Sequence, residues 1–108
     1  MSSSINPTSQ REVLLEAVDK GLLVSGEIAR TAIYERIERS YQIRREEIPE
    51  KLETFQKALE ELLGAGAKLI EKMIARNLYS SFGLNFTVHA NWALPDYVNH
   101  MNKTWISD

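Results

Sequence analysis

Few residues of this 108-residue chain have types and spacing that suggest chemistry. His89 and His100 are the only histidines, and there is no cysteine. A metal site needs three or four convergent ligands. The two histidines are not at i,i+4 spacing, and only Asp96 lies near His100, so no metal is expected. Gly64-Ala65-Gly66-Ala67-Lys68 leads into a helical pattern, and helix N-termini bind anions. A phosphate loop follows a strand, however, and here a helical pattern precedes the glycines, so the segment reads as a tight helix–helix turn. Ser80, Ser81 and Thr87 have no base and orienting group at a telling spacing. The paired acids Glu46-Glu47 and Glu60-Glu61 are sequence neighbours on polar stretches. No enzyme and no cofactor are expected.

The sharpest feature is cationic. Lys68, Lys72 and Arg76 recur every four residues and so share one helix face. With the helix before them and the glycine turn, they could form a helix-turn-helix that reads nucleic acid, with Arg44 and Arg45 adding phosphate contacts. Against this, the turn reads as antiparallel, the preceding helix is acidic, and a wing would need a second strand. The competing reading is a solvated basic face that complements the acidic helix or an acidic protein partner.

These residues must be positioned by helices. The stretch Leu52 to Phe82 organises the chain as two amphipathic helices. Leu52, Phe55, Leu59, Leu62 and Leu63 line the first; Ala67, Ile70, Met73, Ile74, Asn77, Leu78 and Phe82 line the second. The short turn makes each the other's expected partner. Before them, Ser9 and Glu12 read as a capping box opening a helix to about Leu23. Its apolar face is Val13, Leu14, Ala17, Val18, Gly21 and Leu22, with Gly21 permitting close approach of another helix. Ser25 is expected to cap a second helix with Ile28, Ala32, Ile33, Ile37 and Tyr41 inward. Residues 44–50 read as a connector, with Ile43 and Ile48 tucked inward and Pro49 ending helical geometry before it.

After Gly83, Leu84-Asn85-Phe86-Thr87-Val88-His89 alternates apolar and polar with the period of a half-buried strand. It either packs as an extended segment on the helices or pairs with its own copy. A last helix, about Pro95 to Trp105, carries Leu94, Val98, Met101 and Trp105 on a stripe. Leu84, Phe86, Val88, Trp92, Val98, Met101 and Trp105 are therefore the expected self-association residues. The expected fold is all-α: four main helices, a short C-terminal helix and one extended segment. Residues 1–8 are expected to be a disordered arm and 9–108 a single domain. The expected core is Leu14, Val18, Leu22, Ile28, Ile33, Ile37, Phe55, Leu59, Leu62, Ile70, Met73, Ile74, Leu78 and Phe82.

Composition narrows the class. A chain this long makes one domain with one core. The net charge of −2 lacks the basic excess usual in nucleic-acid binders. Charge alternates in sign: residues 26–45 hold five basic and three acidic side chains, 46–63 two and six, and 64–82 three and one. No apolar run approaches the roughly 18 residues of a membrane span, and no signal peptide is evident. A cytoplasmic protein is expected.

The chain also resembles a small archaeal family, the Nitrosopumilus output domain, fifth type. The resemblance rests on Gly21-Leu22-Leu23 with Gly26-Glu27, Ala32-Ile33-Tyr34 and Ile37-Glu38. It continues through Arg45-Glu46-Glu47-Ile48-Pro49-Glu50, Phe55 with Ala58-Leu59, and Gly64-Ala65-Gly66-Ala67. Ile70-Glu71, Leu78-Tyr79 and Asp96-Tyr97-Val98 complete it, over roughly residues 13–100. The resemblance implies a helical domain with no catalytic residues, standing alone or serving as the output module of a two-component regulator. The function expected is a non-enzymatic regulatory or protein-interaction module in archaeal signalling, working as a homodimer. The alternative is a DNA-binding regulator using the basic face, and the third reading is a small-ligand sensor.

Overall fold

The computed structural model describes residues 7–106, with side chains from Gln10 to Lys103. Five α-helices follow one another: α1 Pro7–Leu22, α2 Glu27–Tyr41, α3 Leu52–Leu63, α4 Gly66–Ser81 and α5 Leu94–Ile106. Two 3-10 segments, Leu23–Ser25 and Arg45–Lys51, flank α2. Among the described residues there is no strand, and the all-α bundle expected from periodicity is the fold. No helix among them is long and apolar enough to cross a membrane.

The boundaries shift in instructive ways. α1 is already helical at Pro7, whose missing N–H costs nothing in the first turn. Ser9 therefore lies within α1 and does not cap it; its side chain, like residues 1–6 of the expected arm, is outside the described residues. α2 is capped at Gly26, because Ser25 is taken up by the 3-10 turn closing α1. The connector before α3 is helical too, as a 3-10 segment that accommodates Pro49 and delivers Ile48 inward. Gly64 joins α3 to α4 at φ +57°, a left-handed backbone that favours glycine.

α4 packs most extensively against α1, more than against its hairpin neighbour α3. Gly21 explains how. A Cβ there would overlap Ile74 Cγ1 and lie 3.3 Å from the Ile74 backbone nitrogen. The absent side chain lets α1 rest directly on α4. α5 crosses both α3 and α4, and the 3-10 segment Arg45–Lys51 fills the space between α1 and α3.

The core contains ten of the expected residues: Leu14, Val18, Leu22, Ile33, Ile37, Phe55, Leu59, Ile70, Ile74 and Leu78. Leu62, Met73 and Phe82 are only half-buried. Ile28 is a correction, being 88% exposed. At 100° per residue, the nine residues from Ile28 to Ile37 place the two on opposite sides of α2. Ile33 and Ile37 point inward with half-buried Tyr34 and Tyr41, so Ile28 and Ala32 must face outward.

The segment after α4 is extended but unpaired, with Leu84 and Phe86 half-buried and Asn85 and Thr87 exposed. Aromatic side chains hold it against the helices. Phe86 packs edge-on to Tyr79 at 5.4 Å and against Tyr97 at 5.3 Å. The Tyr97 hydroxyl accepts from the His89 N–H at 3.0 Å and reaches the His89 carbonyl at 3.3 Å.

Candidate functional site

Each group of residues singled out by type was placed by the helices in a different setting. Lys68, Lys72 and Arg76 are all exposed on α4, as the fourfold spacing requires. Two lean on the extended segment: Lys68 Nζ stands 3.5 Å from the Ala90 carbonyl, and the Arg76 guanidinium lies 5.7 Å from the Phe86 ring centroid. Arg44 is exposed. Arg45 is engaged internally, its Nε donating to Asp19 Oδ1 at 2.9 Å and its Nη2 to Oδ2. The Tyr34 hydroxyl donates to the same carboxylate. Burial alone would raise the Asp19 carboxyl. The hydrogen bonds from Arg45 and Tyr34, with the charges of Arg45 and Arg30, outweigh it and hold the group below its usual range. This cluster ties α1, α2 and the second 3-10 segment together. Its cation is not free for a phosphate.

The residues expected to self-associate are largely used within the chain. Met101 is buried, and Leu84, Phe86, Trp92 and Val98 pack half-buried against the core. Val88 remains about half exposed, at 49%. The Trp105 side chain is outside the described residues. Both histidines gather at Trp92: His89 stacks on it at 3.8 Å and 17°, and His100 lies 5.4 Å away. Among the described residues no three metal-ligating side chains converge.

The least expected polar residue is Glu71, only 3% exposed. Its Oε1 accepts from the Leu94 N–H at 2.8 Å, satisfying an orphan amide at the start of α5. Its Oε2 accepts from Gln56 Nε2 at 3.3 Å. Asp96 completes the cap by accepting from the Ala93 N–H at 2.9 Å. Glu71 thus fastens α5 onto α3 and α4. The signal for it was in the sequence: it stands four residues from Ala67 and from Ala75, both fully buried. Tyr97 was legible in the same way, three residues after Leu94 and four before Met101, both buried.

Burial raises the Glu71 carboxyl above its usual range, although the bonds from Leu94 and Gln56 offset part of the rise. An acid whose pKa rises on folding binds its proton more tightly in the native state. Its stabilising contribution is full below the unfolded carboxylate range and is lost as pH rises through the raised value. Glu71→Gln keeps an acceptor for Leu94 and removes the ionisation. Urea midpoints from pH 4 to 7 should therefore fall less with pH in the variant than in the parent. A parallel pH dependence would contradict this role.

Two recesses flank α5. A groove of about 440 Å³ runs between Pro49–Thr54 and Pro95, Val98, Asn99 and Asn102. It continues for about 310 Å³ past Arg11, Leu14 and Leu78. The ion pair of Arg11 with Glu50, 2.8 Å between Nε and Oε2, lies along it.

The 3-10 segment Leu23–Ser25 and the start of α2 are different in kind. Leu23 is 41% exposed, Val24 53% and Ile28 88%. Ile28 overlooks a shallow depression of about 400 Å³ floored by Thr31 and Ala32 and edged by Glu27 and Glu35. Here α2 presents Ile28 to water among Thr31, Ala32 and the charged Glu27 and Glu35. No family model, no curated protein and no solved structure matches this chain.

Proposed function

We infer that this chain is a non-enzymatic regulatory module that acts by binding protein surfaces, and that it self-associates weakly as a homodimer. The observation that carries this reading is Ile28, fully in solvent on α2, with Leu23 and Val24 also exposed in the 3-10 segment just before it. Aliphatic side chains left in water close together along the chain are candidates for burial against a partner. The reading agrees with the regulatory role in archaeal signalling that the output-domain resemblance implies.

The second reading is DNA binding through Lys68, Lys72 and Arg76, supported by their shared exposure on α4. One experiment separates the two. Light scattering from micromolar to millimolar protein should show mass rising with concentration. Anisotropy of a labelled generic duplex should show no micromolar binding at low salt. A concentration-independent monomer, together with duplex binding that weakens steeply with salt through counterion release and is lost in Lys68→Glu/Lys72→Glu, would replace this reading with the DNA-binding one.

A further inference from the structure

We propose that the extended segment 84–88 is a docking edge for a short acidic peptide, which adds beside it as a strand and sets its carboxylates on Lys68, Lys72 and Arg76. This inference rests on the reading of the chain as a protein-binding module and names one partner class and its site.

The backbone of the segment is open. Among the described residues, the N–H and C=O groups of Asn85, Phe86, Thr87 and Val88 enter no hydrogen bond. The His89 N–H, next along, points to the Tyr97 hydroxyl on α5. Consecutive residues of an extended chain turn these groups to opposite edges. Thr87 therefore shares the α5 edge with His89, and Phe86 and Val88 offer two N–H and two C=O groups on the other edge. Phe86 is anchored between Tyr79 and Tyr97, so this edge is held in place before a partner arrives. Such an edge is a template for one further strand.

The cations set the chemistry of that strand. Arg76 lies over Phe86 and Lys68 reaches the Ala90 carbonyl, so α4 and the segment run side by side in opposite directions. Eight residues of helix rise about 12 Å and four of extended chain about 13 Å, which brings Lys72 level with Val88. One cation per four helical residues is one per about 6 Å. Side chains on one face of a strand recur every ~6.7 Å. Acids at alternate positions of an added strand therefore meet the row one by one. No ion pair among the described residues involves Lys68, Lys72 or Arg76.

A nucleic acid would meet the same charges. Its phosphodiester backbone has no N–H to donate and cannot continue the ladder, and the net charge of −2 opposes a long polyanion. Four backbone hydrogen bonds and exposed ion pairs make a weak site, with a dissociation constant on the order of 100 µM.

The probe is a short fluorescent peptide alternating glutamate and threonine, titrated with the full chain at physiological ionic strength, where distant charges are screened. Lys68→Glu/Lys72→Glu should weaken binding at least tenfold. Arg39→Glu, a charge reversal on exposed α2, should leave it within about twofold. Both variants keep good helix formers on exposed positions, so the fold is retained. N-methylation of the peptide separates strand addition from charge. Methyl groups on every second nitrogen in one phase remove the N–H groups that donate to the segment and should abolish binding; in the other phase they face away and should be tolerated. Equal effects in both phases would overturn the strand geometry. Tighter binding of a single-stranded oligonucleotide of the same charge would assign the row to nucleic acid and overturn this inference. No peptide binding at millimolar protein overturns the site, and mass that still rises with concentration in light scattering then leaves the homodimer reading standing.

Discussion

Tyr97→Ala is expected to destabilise this fold by about 3–5 kcal/mol, the range for emptying a large aromatic site in a core. Tyr97 is among the largest fully buried side chains, only 1% exposed. It faces Tyr79 at 6.5 Å, Phe86 at 5.3 Å and Trp92 at 5.0 Å, and it joins α5 to α4 and to the extended segment. Against a net stability of roughly 5–15 kcal/mol for a small domain, such a loss leaves little margin. Tyr97→Phe separates packing from polarity. It keeps the ring and removes the hydroxyl that holds both backbone groups of His89, at a cost of about 1 kcal/mol. Urea unfolding should rank the two variants in that order. Amide exchange in Tyr97→Phe should speed up at His89 while α1 stays protected. An unchanged midpoint for Tyr97→Ala would contradict the placement of α5.

Gly21→Val is the second large effect. The added Cβ would overlap Ile74 Cγ1 and press on the Ile74 backbone, so α1 and α4 would have to separate along their most extensive contact. Overpacking of this kind costs about 1–3 kcal/mol, and the rigid backbone neighbour puts the expected value at the upper end. Better helix propensity returns only a few tenths of that. The mechanism is checked by coupling. Ile74→Ala removes the atom that a Cβ at position 21 would strike. Gly21→Ala should therefore be less damaging in the Ile74→Ala background than in the parent, measured as a double-mutant cycle. Additive effects would show that Gly21 is not the point of closest approach.

Residues on strongly periodic helices were the most legible. α3 and α4 appeared in the sequence within a residue or so of their structural ends, because their stripes have no competitor. α2 has two competing i,i+4 pairs, Ile28 with Ala32 and Ile33 with Ile37. Spacing cannot say which pair faces in; the packing of Tyr34 and Tyr41 decides it, and with it the one face left exposed. The extended segment read as a strand because alternation reports which side is buried, not what pairs with the backbone. Its backbone is held by the Tyr97 hydroxyl, a contact no period encodes. Glu71 was hidden by its type: a carboxylate on a polar helix reads as solvated unless one asks what would cap the next helix. Arg45 looked like a free cation for the same reason, its partner Asp19 being remote in sequence. The α2 surface was thus legible only after the core had been assigned.

The most direct measurement of the central claim is a dilution series of ¹⁵N-labelled protein followed residue by residue in amide correlation spectra. On going from millimolar to micromolar protein, shifts should move along one binding curve for residues 23–39 and stay fixed for 68–76 and 84–101. That result would place self-association on α2. Spectra unchanged by dilution, or changes confined to the basic face of α4 or to the extended segment and α5, would contradict it.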